Sequence, residues 1–197
     1  EGSGSTAGDS SGHGYDGTIH GATWVTGHSG KALNFNGVDN YVDFDAYSVN
    51  LGYNKTDDFA ISLWFKSTSS GMLYSTSHTD YARPYADLKL NSDGKISFKT
   101  GDLSCLFDVT TTGTYNDSSW HNVEVLFYGS TTNPTVSIYV DNTLDGTQTK
   151  WLCPILDSDF LTAKMGKDSI NATDFFNGII DEIKLYKYPE KTGGNHL

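Results

Sequence analysis

The chain has 197 residues and a formal net charge of −11, from 24 acidic against 13 basic side chains. A surface this acidic repels a phosphate backbone, which argues against nucleic acid as a partner. No apolar run approaches the ~20 residues of a membrane span, so the sequence also argues against membrane insertion.

The composition is that of one folded unit. Hydrophobic residues make up 37% of the chain and aromatic residues 13%, which is too rich for a disordered protein. All-β domains of roughly 200–250 residues commonly form a single unit. The low-complexity stretches Gly2–Gly8 and Thr192–Leu197 lie at the two ends. We therefore predict one domain over residues 1–197, with a core from about residue 9 to residue 188.

Short β-rich runs separated by Gly, Asn, Asp and Ser follow one another along the chain. No stretch of about ten residues has the apolar periodicity of a helix. In chain order, the predicted strands are Gly17–Ile19, Ala32–Phe35, Tyr41–Phe44, Phe59–Lys66, Gly71–Ser75, Ala86–Leu90, Lys95–Thr100, Cys105–Asp108, His121–Tyr128, Thr135–Val140, Thr147–Lys150, Thr162–Met165 and Gly178–Tyr186.

Two tight turns predict antiparallel pairing between neighbouring strands. Asn91–Gly94 separates two strands, and Asp141 and Asn142 follow the alternating strand Thr135–Val140. Many short strands with such turns favour an all-β antiparallel two-sheet sandwich over a parallel α/β sheet.

One predicted strand, Phe59–Lys66, carries bulky side chains on both faces. Alternation sends Ile61, Leu63 and Phe65 to one face and Trp64 to the other. We therefore expect a central strand, in which Trp64 is first a packing residue and only secondarily a candidate for stacking on a ligand.

Four segments resemble laminin G-like, concanavalin A-like domains and occur in that family's order. The first reads GATWVTGHSGKALNFNGVDNYV. The segments are Gly21–Val42, Phe59–Lys66, Trp120–Val125 and Phe176–Tyr186. The resemblance implies a jelly-roll sandwich whose two chain ends lie side by side.

The resemblance also implies a structural Ca²⁺ that ties the opening loop to the last strand. Asp9 and Asp181 match the family's acidic positions, and the backbone oxygen of Gly37 and the side chain of Asn40 would complete the oxygen shell. The family usually has Asp where Asn36 and Asn40 stand, which lowers the ligand charge. The alternative is a plain polar turn, with Asp181 capping backbone amides or pairing with a lysine.

The two cysteines, Cys105 and Cys153, show no zinc-binding spacing. In an exported protein they would form one disulfide, and two buried free thiols are the alternative.

Catalytic motifs of the enzymes that share this sandwich do not occur in the sequence. Retaining glucanases need two facing carboxylates, whereas Asp181 and Glu182 are adjacent and point to opposite faces of a strand. Arg83 is the one arginine, too little to neutralise the uronate carboxylates that a lyase would bind. We expect a binding domain rather than an enzyme.

Aromatic and polar residues concentrate between two predicted strands and beside the second cysteine. Aromatic rings can cover sugar C–H faces while polar groups bond the hydroxyls, which predicts a ligand site here. The alternative is a solvated loop whose tyrosines pack on the sheet edge. The candidate ligand-binding residues are Tyr74, His78, Asp80, Tyr81, Arg83, Tyr85 and Trp151.

The expected function is that of a non-catalytic, lectin-like module that binds carbohydrate or a cell-surface glycan. Such a module would be secreted or displayed at the cell surface as part of a larger polypeptide. The alternatives are a module that binds an extracellular protein or spaces other domains, and a glycan-active hydrolase or lyase of the same fold.

Overall fold

The computed structural model describes residues 2–44, 58–77, 85–101, 105–130, 132–151 and 162–188. These residues form fifteen strands and no helix, so none of them belongs to a helix that could cross a membrane. The strands are β1 (Thr6–Ala7), β2 (Gly17–His20), β3 (Thr23–Thr26), β4 (Lys31–Asn36), β5 (Tyr41–Asp43), β6 (Asp58–Lys66), β7 (Gly71–Ser77), β8 (Tyr85–Leu90), β9 (Ile96–Gly101), β10 (Leu106–Thr110), β11 (His121–Tyr128), β12 (Thr135–Val140), β13 (Thr143–Thr149), β14 (Thr162–Met165) and β15 (Asn177–Tyr188).

The strands form two antiparallel sheets that pack as a jelly-roll sandwich. The eight-stranded sheet has the order β1-β2-β5-β14-β7-β8-β9-β10, and the seven-stranded sheet has the order β13-β12-β11-β6-β15-β4-β3. All thirteen predicted strands are present. The sequence prediction missed the two-residue β1 and the edge strand β3, and it began β13 four residues late.

The predicted turns and the predicted central strand are confirmed. Asp141 and Asn142 have φ values of 50° and 64°, as a tight turn between β12 and β13 requires. β6 is the fourth of seven strands, and Ile61, Leu63 and Phe65 on its inner face are fully buried. The sequence alternation therefore gave the correct inner face.

Phenylalanine rings from both sheets interlock in the core. Phe127 of β11 stacks on Phe59 of β6, with ring centroids 4.9 Å apart, and meets the edge of Phe107 from β10 at 6.0 Å. All three side chains are at most 2% exposed. This cluster joins the seven-stranded sheet to the eight-stranded sheet and leaves the outer faces of both sheets for polar residues.

The early and late parts of the chain meet at one side of the sandwich. β15 pairs with β4, and the backbone N–H of Ser29 donates to the Asp181 carboxylate at 3.0 Å. Early and late segments of the described chain thus lie side by side, as the family resemblance implies.

Candidate polar pocket on the outer face of the eight-stranded sheet

A row of polar side chains crosses the outer face of the eight-stranded sheet. Strand register sets these residues directly opposite one another, because neighbouring strands pair without an offset along this line. In spatial order the polar row consists of Asp43, Lys164, Ser75, Asp87, Lys99 and Asp108.

Ion pairs neutralise the lysines at both ends of the polar row. Lys164 Nζ lies 2.9 Å from Asp43 Oδ1, and Lys99 Nζ lies 3.1 Å from Asp108 Oδ2. The Lys164 side chain is only 8% exposed, so its charge needs this partner. Neither of these two ammonium groups forms an ion pair with Asp87, which lies in the middle of the row.

A pocket of about 250 Å³ opens beside Asp87. Its floor consists of side chains from β7, β8 and β9, and a segment of the chain after β14 supplies further residues. The lining residues are Met72, Asp87, Lys89, Asn91, Ser97, Lys99, Asp168 and Asp174.

The loop of residues 166–176 forms one wall of this pocket. The Ser169 backbone N–H donates to Ser75 Oγ at 3.0 Å, and Met72 N–H donates to the Asp174 carbonyl at 2.8 Å. Ser75 is consequently buried beneath the loop. These bonds hold Asp168 and Asp174 in place at the rim.

Asp87 is the carboxyl group whose charge the pocket leaves least neutralised. Ser75 Oγ donates to Asp87 Oδ1 at 2.6 Å, and no other described residue donates to this carboxylate. Burial raises the pKa of Asp87 from 3.8 to about 6, and the negative charge of Asp168 adds to the rise against the opposing effects of Ser75 and the nearby lysines. A carboxyl group with a raised pKa in a pocket is a functional-site candidate.

The other polar groups of the pocket are mostly engaged with each other. Lys89 Nζ lies 2.9 Å from Asp174 Oδ1, and Ser97 Oγ donates to Asn91 Oδ1 at 3.3 Å. Asp168 Oδ1 accepts the N–H groups of Ile170 and Asn171. The pocket therefore offers carboxylate, ammonium, amide and hydroxyl groups, with three carboxylates against two ammonium groups.

The sequence profile of the concanavalin A-like lectin/glucanases superfamily matches residues 36–190, about four-fifths of the chain. The chain belongs to this family. It is a laminin G-like domain, as its fold also shows. No curated protein matches the domain in sequence.

Several solved structures share the fold at low sequence identity. The mouse laminin alpha1 chain domains LG4-5 superimpose with a TM-score of 0.59 and 19% identity over 78% of this chain and 40% of that one. The CBM40 of the Ruminococcus gnavus IT-sialidase superimposes with a TM-score of 0.63 and 11% sequence identity, over 79% of this chain and 89% of that one. The binding domain of botulinum neurotoxin serotype C1 superimposes with a TM-score of 0.57 and 15% sequence identity, over 91% of this chain and 44% of that one. The laminin G-like domain thus spans less than half of the laminin and neurotoxin chains.

Of the ligand residues predicted from sequence, the two whose side chains the structure describes, Tyr74 and Trp151, do not line the pocket. Tyr74 is completely buried on β7, so its prediction as a ligand residue is wrong: the ring belongs to the core. His78, Asp80, Tyr81 and Arg83 lie outside the described residues, and Tyr85 begins β8.

Trp151, the remaining predicted ligand residue, follows β13 and is 80% exposed. It belongs to the seven-stranded side of the laminin G-like domain and does not line the pocket.

The four predicted calcium ligands have the right oxygen chemistry but do not converge. Gly37 follows Asn36, which pairs with Asn177, so Gly37 lies about 13 Å along β15 from Asp181 at ~3.3 Å per residue. Asn40 packs at Gly21, beyond one end of β2, whereas Asp9 contacts Asp16 just before the other end.

Asp9 uses its carboxylate within its own loop. Ser11 donates to it through both its hydroxyl and its backbone N–H, and Tyr15 N–H donates at 3.1 Å. These hydrogen bonds hold the pKa of Asp9 at about 2.

Asp181 follows the alternative that the sequence left open, because it caps backbone amides. Its carboxylate accepts the N–H groups of Ser29 at 3.0 Å and Glu182 at 2.9 Å. A Cβ at position 27 would come within 2.4 Å of Asp181 Oδ2, so the turn over this carboxylate requires Gly27. The same turn carries His28, whose ring stacks on Trp64 at 3.6 Å. Trp64 is therefore covered by a packing contact, as expected for a structural residue.

The calcium ion stays a prediction. Among the described residues, no group of three or more His, Cys, Asp or Glu side chains is suited to a metal ion. If the predicted ion binds only the native state, EDTA will lower the thermal midpoint by several degrees. Differential scanning calorimetry with EDTA and with added Ca²⁺ measures this directly, since an ion bound only to the native state raises the midpoint. An unchanged midpoint in EDTA would contradict the calcium prediction.

The predicted disulfide is only partly visible in the described residues. Cys105 is 4% exposed and is not a free thiol. Cys153 lies outside the described residues. The pairing of the two stays a prediction.

Proposed function

We propose that this domain is a non-catalytic module that binds carbohydrate in the pocket around Asp87. The observation that carries the proposal is a largely buried carboxylate with a single hydrogen-bond donor, at the floor of a pocket of polar side chains. Sugar hydroxyls are donors that such a carboxylate can accept, and hydrogen bonds to charged groups are stronger than those between neutral groups.

The charges of the pocket disfavour an anionic ligand and favour a neutral sugar. Lys89 pairs with Asp174 and Lys99 pairs with Asp108, so neither ammonium is left to hold an anionic ligand. The net charge of −11 adds long-range repulsion toward anions. Hydroxyl groups can both donate and accept, which suits a site that mixes Asp, Lys, Asn and Ser.

The acids of the pocket support binding rather than hydrolysis. Glycoside hydrolysis requires two carboxyl groups on either side of the scissile bond. Asp174 is held by Lys89 and Asp168 caps backbone amides, which leaves Asp87 as the one pocket carboxylate with little internal engagement. A single such carboxylate fits recognition of a sugar.

Structural relatives also support a glycan ligand. The Ruminococcus gnavus CBM40 superimposes on this chain and has been solved bound to alpha2,3 sialyllactose. From the family and the bonded state of Cys105 we infer an extracellular setting, either secreted or at the cell surface.

A glycan array followed by isothermal titration calorimetry tests the proposal. We expect wild-type protein to bind at least one neutral glycan and Asp87→Asn to bind it roughly 10–100-fold more weakly, because a hydrogen bond to a charged group is lost. Glu124→Gln is the matched control, because Glu124 lies on β11 in the other sheet and takes no part in the pocket. Equal affinity in wild type and Asp87→Asn would contradict the proposed site.

A protein ligand is the second candidate, and the exposure of Trp151 favours it. An indole ring that is 80% exposed is the kind of side chain that anchors protein interfaces. If no glycan binds and Trp151→Ala abolishes capture of an extracellular protein partner, adhesion replaces carbohydrate binding as the function.

A further inference from the structure

We infer that the pocket recognises the terminal sugar of a glycan chain and not an internal stretch of it. This inference rests on the proposed carbohydrate-binding function. It concerns which part of the glycan enters the pocket, which the proposed function leaves open.

The size of the pocket sets the first limit. Its volume of about 250 Å³ is below the ~300 Å³ at which sites for drug-sized ligands begin. A single sugar ring is a smaller ligand than that class, whereas a run of several linked rings is not. The pocket therefore accommodates one sugar unit.

The wall sets the second limit. A glycan that crossed the strands along the polar row would have to pass over Ser75 toward Lys164. Ser169 blocks this path, because its hydroxyl lies 2.9 Å from Ser75 Oγ and its backbone N–H bonds the same atom. Ser75 and Ser169 are both buried at this point, so the sheet surface is closed there.

The turn between β8 and β9 sets the third limit. Asn91 lines the pocket at the end of β8, and the turn is closed by the Asn91 N–H bond to the Lys95 carbonyl at 2.8 Å and the Gly94 N–H bond to Asn91 at 3.0 Å. The pocket is thus bounded by a floor, by a loop wall across the strands and by a turn along them. These two boundaries block a straight path both across and along the strands, so an internal stretch of glycan cannot run straight through the pocket, whereas a chain end can enter it from an open side.

Trimming and capping of the bound glycan test the inference. The probe is the neutral glycan that gives the strongest signal on the array, prepared in four forms: intact, shortened by an exoglycosidase that removes its terminal sugar, extended by one sugar on that terminus, and extended by one sugar at the opposite end. We expect removal or capping to weaken binding at least tenfold, and lengthening at the opposite end to change it less than twofold. The free terminal monosaccharide should compete for all of the binding.

The outcomes separate this inference from the proposed function. If the capped glycan binds as well as the intact one and Asp87→Asn still weakens binding, recognition is internal: the inference is overturned and the proposed function stands. If no glycan on the array binds, both are overturned.

Discussion

Replacing Phe127 with alanine will lower the free energy of unfolding by about 3–5 kcal/mol, the cost of deleting a buried aromatic ring and leaving a cavity. Phe127 is 1% exposed and contacts Phe59 within its own sheet and Phe107 in the opposite sheet. Its ring therefore contributes to the packing that holds the two layers together. Urea unfolding followed by tryptophan fluorescence gives the free energy from the transition midpoint and slope.

Glu124→Ala provides the control for Phe127→Ala. Glu124 lies on the same strand but on the outer face, where substitutions usually change stability by no more than about 0.5 kcal/mol. Similar losses for Phe127→Ala and Glu124→Ala would mean that β11 does not present Phe127 to a core between two sheets.

Replacing Asp87 with asparagine will stabilise the domain at neutral pH by up to about 3 kcal/mol. Burial raises the pKa of Asp87 from 3.8 to about 6, and at 1.36 kcal/mol per pKa unit the difference corresponds to roughly this value. Between pH 4 and 6 the folded protein binds more protons at Asp87 than the unfolded chain does. The contribution of Asp87 to stability therefore falls as pH rises through this window and stays low above pH 6.

Thermal unfolding across pH measures this effect. Because other groups also titrate, the informative quantity is the difference between the two proteins: equal midpoints near pH 4, and a midpoint roughly 6–12 °C higher for Asp87→Asn at pH 7.5. A constant difference at all pH values would show that Asp87 is not a buried carboxyl that ionises at a cost. Glu124→Gln is the matched control and should track the wild type throughout.

Asp87→Asn thus links stability to function. The substitution is expected to strengthen the fold and to weaken ligand binding, a combination typical of functional sites, where a destabilising group is retained for its chemistry. Replacing a residue with a purely structural role would instead lower the stability of the domain.

Alternating sequence patterns made most strands predictable, whereas two very short strands at or near the sheet edges, β1 and β3, were not predicted. β6 has large apolar residues at every second position from Phe59 to Phe65, so both its existence and its inner face follow from periodicity. β1 has two residues and β3 has four, too few to show a period. β13 begins with Thr143-Leu144-Asp145-Gly146, whose Asp and Gly indicated a turn more strongly than a strand.

The pocket could not be predicted from the sequence, because it depends on the order of strands in space. Asp87 and Lys89 alternate with buried leucines, which shows only that they face outward from β8. Lys99 and Ser75 flank Asp87 because β8 pairs with β9 on one side and with β7 on the other. Asp168 and Asp174 belong to a loop far along the chain. The aromatic content of the sequence instead led to the prediction of Tyr74 as a ligand residue, although Tyr74 is buried in the core.

Asp181 shows why a buried charge in a sequence pattern does not identify its partner. The apolar residues around it correctly indicated burial and a need for compensation. The compensation comes from two backbone N–H groups, one of them in a turn more than a hundred residues away, which only the register of β15 and β4 brings near.

Chemical-shift mapping tests the location of the site most directly. A ¹⁵N-labelled domain would be titrated with the neutral glycan that binds most strongly on the array. The proposed site predicts that perturbed amides cluster in β7, β8, β9 and the loop of residues 166–176, and that Asp87→Asn removes these perturbations at the same glycan concentration. Perturbations centred on Trp151, or on Trp64 and Trp120 at the outer face of the other sheet, would contradict it.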